Sequence, residues 1–169
     1  MVTYGGIWID STVITTEKFI NFIDDQTFVI PRTFPPGSNG KVIPVSSWFI
    51  KADKNNEYLV KVQYKLMSYW IKENHLITYF LLHYILVITS EEMNNYLGKT
   101  FPVDNTLPHY LMLKMREEKL SVNEIEYLID QFEINKFTNK TVSTLEDENY
   151  VTLNRVLRTK ESNGDYTAN

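Results

Sequence analysis

Three kinds of side chain in this sequence are spaced to do chemistry: a carboxylate closing an apolar run, a histidine inside an apolar segment, and lysines on an alternating stretch. The carboxylate is Asp10, in Tyr4-Gly5-Gly6-Ile7-Trp8-Ile9-Asp10-Ser11-Thr12. Glycine has no Cβ and lets backbone approach a ligand or a neighbouring helix, while Ile7, Trp8 and Ile9 favour a buried strand. In open α/β sheets ligands bind beyond the carboxyl ends of the strands, so Asp10 is placed for a hard cation and its diphosphate. Thr12 shares its orientation if the strand continues. The same aspartate also suits a purely local role, satisfying backbone N–H groups at a strand-to-helix junction.

The histidines are His75, His83 and His109, and no two have the i, i+4 spacing of a helical metal site. His83 follows Tyr79-Phe80-Leu81-Leu82 on an apolar helix, where an imidazole needs a hydrogen-bond partner. It reads either as a satisfied core histidine or as a catalytic one. His109 follows Pro108 at a helix start, a position for a cap, a phosphate contact or plain exposure. Asp104-Asn105-Thr106-Leu107-Pro108-His109 is a polar turn able to hold a polar ligand. Ile134 to Lys140 alternates apolar and polar residues, putting Asn135 and Phe137 on one face and Lys136 and Thr138 on the other. Lys136 and Lys140 are there to neutralise a diphosphate or to face solvent.

Several function classes drop out. The chain has no cysteine, which excludes a disulfide scaffold, a thiolate zinc site and a cysteine nucleophile, and fits a reducing cytoplasm. A net charge of −4 without a basic cluster argues against nucleic acid as a partner. G-x-S-x-G, Walker and dinucleotide-binding patterns are missing. No secretory leader pattern is visible, and the apolar run Leu76–Ile88 falls short of the roughly 20 residues that span a membrane, so it reads as a buried helix.

The elements that must position these residues follow from patterning. A strand to about Asp10 is followed by a short helix, 17–24, capped by Thr15 or Thr16. Residues 27–30 and 42–52 look extended, joined by the turn-forming segment 31–40. From Asn55 the period becomes helical, with Tyr58, Leu59, Val62, Leu66, Tyr69 and Trp70 spaced by threes and fours and Lys61, Lys65 and Lys72 mostly on the other face. Thr89 with Glu92, Ser121 with Glu124 and Ser143 with Glu146 match capping boxes, which predicts helices near 90–97, 122–132 and 145–158, with a further one at 107–119. Residues 160–169 are polar and without period, a frayed tail. The class is therefore α/β, a few N-terminal strands followed by a mainly helical half.

Taken together these segments resemble the bacterial capsular polysaccharide synthesis proteins, glycosyltransferases of GT-A type with a DxD-like sugar motif. Tyr4 to Thr12 is similar to the family's Y-G-G-I-W-x-D-A-T, Ser46-Ser-Trp-Phe-Ile50 to its acceptor-side strand, and Tyr69 to Asn74 with Tyr79 to His83 to its central helices; Asn105–His109 and Ile134–Lys140 complete a match over 2–158. The resemblance implies transfer of a sugar from a nucleotide-sugar donor to a glycan or lipid-linked acceptor, at the cytoplasmic face of the membrane and with peripheral membrane association. It implies a divalent cation, Mn2+ or Mg2+, held by Asp10 and Asn135. It assigns Asp10 and His83 to catalysis, and Gly5, Gly6, Trp8, Thr12, Trp48, Asn74, Tyr79, His109 and Lys136 to donor or substrate binding. Two positions depart from the pattern: Asn135 stands where the family has His, and Thr78 where an acidic residue precedes the Tyr-Phe pair. The nucleotide-binding βαβ half precedes this motif in the family, so residues 1–158 correspond to the C-terminal part of the domain, either truncated, split from a separately encoded first half that would be its partner, or read from an internal start, with 159–169 as a tail. On that view the strand at Gly6–Ile9 presents an open edge and apolar faces. The rival readings are a non-catalytic interaction module of the same fold and a metal-dependent phosphodiester or sugar-phosphate hydrolase.

Overall fold

The computed structural model describes residues 1–33 and 43–163. It is α/β, with two compact units: Met1–Asp10 with Ile23–Asn105, and Ser11–Phe22 with Thr106–Asn169.

In the first unit four strands form a mixed sheet in the order β1-β4-β3-β5, made by β1 (Gly6–Ile9), β3 (Phe28–Arg32), β4 (Phe49–Ala52) and β5 (Phe101–Asp104). β1 and β3 both pair antiparallel with β4, and β3 pairs parallel with β5. β1, β3 and β5 therefore run in one direction and end on one edge of the sheet. Phe28, Val29 and Ile30 of β3 are fully enclosed, as a central strand requires. β1 behaves differently from the buried strand its Ile-Trp-Ile run predicts: it is an edge strand, and Ile7 and Trp8 are exposed. Among the described residues it has one strand neighbour, β4.

Asn56 caps α2 (Glu57–Lys72), its side chain accepting from Leu59 N–H at 3.1 Å. Tyr58 binds this helix to α3 (Leu81–Glu92): its hydroxyl donates to Leu86 O at 2.6 Å and its ring stacks on Tyr96 at 4.6 Å. Burial pushes the Tyr58 phenol well above its usual pKa. The run Leu76–Ile88 is not one buried helix. Residues 76–80 precede α3, and Leu76, Ile77, Tyr79, Phe80, Tyr84 and Ile88 are exposed. Thr89 does not start a helix either, because it lies inside α3 and is fully buried. Segment 31–40 is less irregular than its composition predicts at its start, where Pro31 and Arg32 complete β3; residues 34–42 lie outside the described residues. Val45 bridges to Arg32, and 43–48 otherwise lacks the regular strand expected there.

In the second unit β2 (Val13–Thr15) pairs antiparallel with β6 (Ile134–Lys136), and the helices α4 (Tyr110–Glu117), α5 (Val122–Gln131) and α6 (Thr144–Asn163) enclose Leu111, Met115, Ile125, Ile129 and Leu153. The short helix α1 (Glu17–Ile23) follows β2, with Thr16 Oγ1 accepting from Phe19 N–H as its cap. The capping box at Ser121 and Glu124 is complete. Lys160 is no frayed-tail residue: α6 continues to Asn163, and the Lys160 Nζ donates to both carboxylate oxygens of Asp130, at 2.9 and 2.7 Å.

Candidate functional site

Because β1, β3 and β5 end on one edge, the residues that follow them are gathered there: Asp10, Thr33 and Asn105. Asn105 N–H donates to Arg32 O at 2.9 Å, holding the ends of β3 and β5 in register. One step beyond the β1–β4 ladder, Asp10 N–H donates to Trp48 O at 2.9 Å. Trp48 is buried and its Nε1–H donates to Asn105 Oδ1 at 2.6 Å. An indole N–H can only donate, so this bond fixes which end of the Asn105 amide is oxygen, and Nδ2 then donates to Thr33 Oγ1 at 3.0 Å. A chain of contacts thus runs from Asp10 through Trp48 and Asn105 to Thr33.

Beside that chain lies a cavity of about 500 Å³ lined by Thr33, Ile43, Val45, Ser46, Phe80, His83, Tyr84 and Asn105. Its size is that of a small-ligand site, and its position follows the rule for α/β sheets. Phe80, His83 and Tyr84 are spaced i, i+3 and i+4, one face of the first turn of α3. The Phe80 and His83 rings meet edge to face at 5.5 Å. His83 Nδ1 is buried without a hydrogen-bond partner among the described residues. Burial also lowers the imidazole's pKa below its ordinary 6.5, so it is neutral at pH 7. Lining the cavity and neutral, the His83 imidazole has the chemistry to take a proton from a bound hydroxyl.

A family model for capsular polysaccharide synthesis proteins matches residues 1–155. The chain belongs to that family. No curated protein and no solved structure matches it.

In this capsular polysaccharide synthesis chain the residues singled out from sequence are distributed unevenly. His83 lines the cavity, and Asp10 and Trp48 reach it through the contacts to Asn105. Tyr79 is mostly exposed and touches Phe80 edge to face at 5.2 Å, one ring removed from the cavity. Asn74 lies in the connection between α2 and α3, its Oδ1 3.3 Å from His75 Nδ1. Thr78, at the position of the missing acid, uses its hydroxyl to accept from Phe80 N–H at 3.3 Å. Gly5 and Gly6 open β1 and so stand at the opposite edge of the sheet from Asp10. Gly5 has φ 72°, and a Cβ there would be 2.6 Å from Lys54 N; its place is set by backbone packing. Trp8 lies mid-strand on β1.

The other residues belong to the second unit. The strand does not continue past Ile9, so Thr12 does not share Asp10's orientation by alternation; Thr12 instead receives a hydrogen bond from Lys136 Nζ, which also donates to Phe137 O at 2.8 Å. Asn135 is buried, and its Nδ2 donates to Ile129 O and Phe132 O at 3.2 and 3.0 Å, tying β6 to the end of α5. Asn135 and Phe137 are both buried while Lys136 and Thr138 are half-buried, as the alternation from Ile134 predicts; only Ile134, itself buried, departs from it. His109 closes a 3₁₀ turn, Leu107–His109, ahead of α4. Among the described residues no three His, Cys, Asp or Glu side chains gather as a metal-holding group. Thr33, Ser46, Phe80 and Tyr84 were not evident from sequence as site residues. The i, i+3, i+4 aromatic-His-aromatic spacing on α3 was the signal available for two of them.

Proposed function

We propose that this chain is a glycosyltransferase of capsule synthesis, moving a sugar from a nucleotide-sugar to a glycan or lipid-linked acceptor, on a fold that is the C-terminal part of a GT-A domain. The observation that carries this is His83, a neutral imidazole lining a cavity on the sheet edge where Asp10 also emerges. In the step, the acceptor hydroxyl gives its proton to the His83 imidazole as its oxygen bonds to the anomeric carbon. The bond from that carbon to the diphosphate oxygen breaks, and its electron pair leaves with the nucleoside diphosphate. Trp48 and Thr33 hold Asn105 in one orientation beside the reacting sugar. Asp10 is the carboxylate that would hold a Mg2+ or Mn2+, and it fits an ion that takes one or two carboxylates and completes its shell with water and substrate phosphates. Bound there, such an ion neutralises charge on the leaving diphosphate. An exposed apolar connection between α2 and α3, next to the cavity residue Phe80, supports a lipid-linked acceptor and peripheral attachment at the cytoplasmic face.

The exposed edge strand β1 favours a second reading, a non-catalytic interaction module that pairs this edge with a strand of a partner. The two separate on turnover. Nucleoside diphosphate release from a nucleotide-sugar panel with Mn2+ is expected from the wild type, and His83→Gln is expected to lower it about 10²- to 10⁴-fold, the contribution of a general base. Turnover unchanged by His83→Gln, or no calorimetric heat with any donor, rejects the transferase.

A further inference from the structure

The cavity differs from a phosphate site in what lines it. Among the described residues its polar groups are the hydroxyls of Thr33, Ser46 and Tyr84, the amide of Asn105 and the imidazole of His83, and none of those lining residues is Lys, Arg, Asp or Glu. The guanidinium of Arg32, the residue before Thr33, donates to Leu97 O and, at 3.1 Å, to Thr100 O, so its charge is turned into the fold. The first turn of α3 faces the cavity, but a helix end supplies only about half a charge, against the several negative charges of a nucleoside diphosphate. With no fixed cation among the described lining residues to offset it, burying a diphosphate here is costly. Hydroxyls, an oriented amide and two aromatic rings instead match a sugar ring, whose edge hydrogen-bonds and whose C–H face packs on aromatics.

We propose that the His83 cavity is a subsite for an uncharged glycosyl ring, the acceptor sugar, and that the donor's diphosphate lies outside it, toward Asp10. Strand spacing separates the two: β1 and β5 are three ladder steps apart, roughly 14 Å. Asn105 reads ring hydroxyls, and Trp48 is a positioning residue that sets the amide through its indole N–H. This assignment of the acceptor rests on the transferase reading; the ring specificity of the cavity stands without it.

The test is ligand-observed NMR on the full chain with two probe classes: methyl glycosides of glucose, galactose and N-acetylglucosamine, and UDP or GDP with Mg2+. Tyr84→Ala and Asn105→Ala are expected to weaken methyl glycoside binding about tenfold, the equivalent of about 1.4 kcal/mol, and to leave nucleoside diphosphate binding within about twofold. Trp48→Phe, which keeps the ring and removes the N–H, is expected to reproduce the Asn105→Ala loss while its thermal unfolding stays cooperative. Nucleoside diphosphate binding lost in Tyr84→Ala or Asn105→Ala, or no glycoside bound by the wild type, overturns the proposal. Glycoside binding that responds as expected in a chain that binds no nucleoside diphosphate or nucleotide-sugar keeps the ring site and rejects the transferase.

Discussion

Gly5 and Gly6 both have positive φ, 72° and 100°, yet they differ in what a side chain would meet. At Gly5 a Cβ falls 2.6 Å from Lys54 N and 2.9 Å from Ala52 O; at Gly6 nothing lies within 4 Å. Gly6→Ala should therefore cost about 1 kcal/mol of backbone strain and Gly5→Ala about 2–3 kcal/mol, because backbone must also shift. Urea midpoints of the two variants check this, and equal losses would mean that the clash at Gly5 is relieved at no cost. His83 sets a pH dependence. Its folded pKa is lowered, so the unfolded chain binds more protons between that value and 6.5; the stability it contributes is complete above 6.5 and is lost as pH falls through the folded pKa. For catalysis the base must be neutral, so the acid limb of kcat/KM should lie below pH 6.5. A limb at or above 6.5, or urea midpoints at pH 7.5 and 5 whose difference is the same in His83→Gln, counts against this role.

Helix starts show how much was legible in the sequence. Ser121 and Glu124 form their box as the spacing predicts, with Ser121 N–H donating to Glu124 Oε2 at 2.8 Å, and Ser121→Ala should cost about 1 kcal/mol by thermal unfolding. Thr89 and Glu92 have the same spacing and form no box. Thr89 is buried inside α3, and the apolar residues before it keep the helix going; local pattern cannot report which turn is covered. Ser143 does accept from Glu146 N–H, at 3.2 Å, but Glu146 is fully buried and serves two further groups, Val142 N–H at 2.8 Å and Arg116 Nε at 2.9 Å. Glu146→Ala strands the Val142 N–H and leaves the Arg116 guanidinium without this carboxylate, an expected loss of about 3 kcal/mol. A denaturant midpoint shift no larger than that of Ser121→Ala would show that water replaces both bonds. The site was legible in part for the same reason. Asp10 and His83 stand out by type and setting, whereas Thr33 and Asn105 meet only because β3 and β5 pair in parallel, and Ser46 joins them because its N–H donates to Pro31 O, contacts with no local signature.

At the scale of the molecule, the net charge of −4 and the exposed apolar residues pull in opposite directions at a membrane. Among the described residues no helix is long and apolar enough to cross a bilayer. The last turn of α2 and the α2–α3 connection nevertheless leave Ile71 80% and Tyr79 82% exposed, with Trp70, Leu76 and Ile77 also exposed. If this connection carries peripheral attachment, insertion of apolar side chains must drive it, since overall charge repels anionic lipid. The protein should then pellet with phosphatidylcholine vesicles and keep doing so at about 0.5 M salt, where charge attraction is screened beyond about 4–5 Å. Burying one isoleucine contributes about 1.5–3 kcal/mol, so Ile71→Glu with Ile77→Glu removes at least about 3 kcal/mol, more than a hundredfold in partitioning. Binding confined to anionic vesicles and abolished by salt would place attachment on charge instead, and a double variant that pellets like the wild type would remove the α2–α3 connection from the membrane altogether.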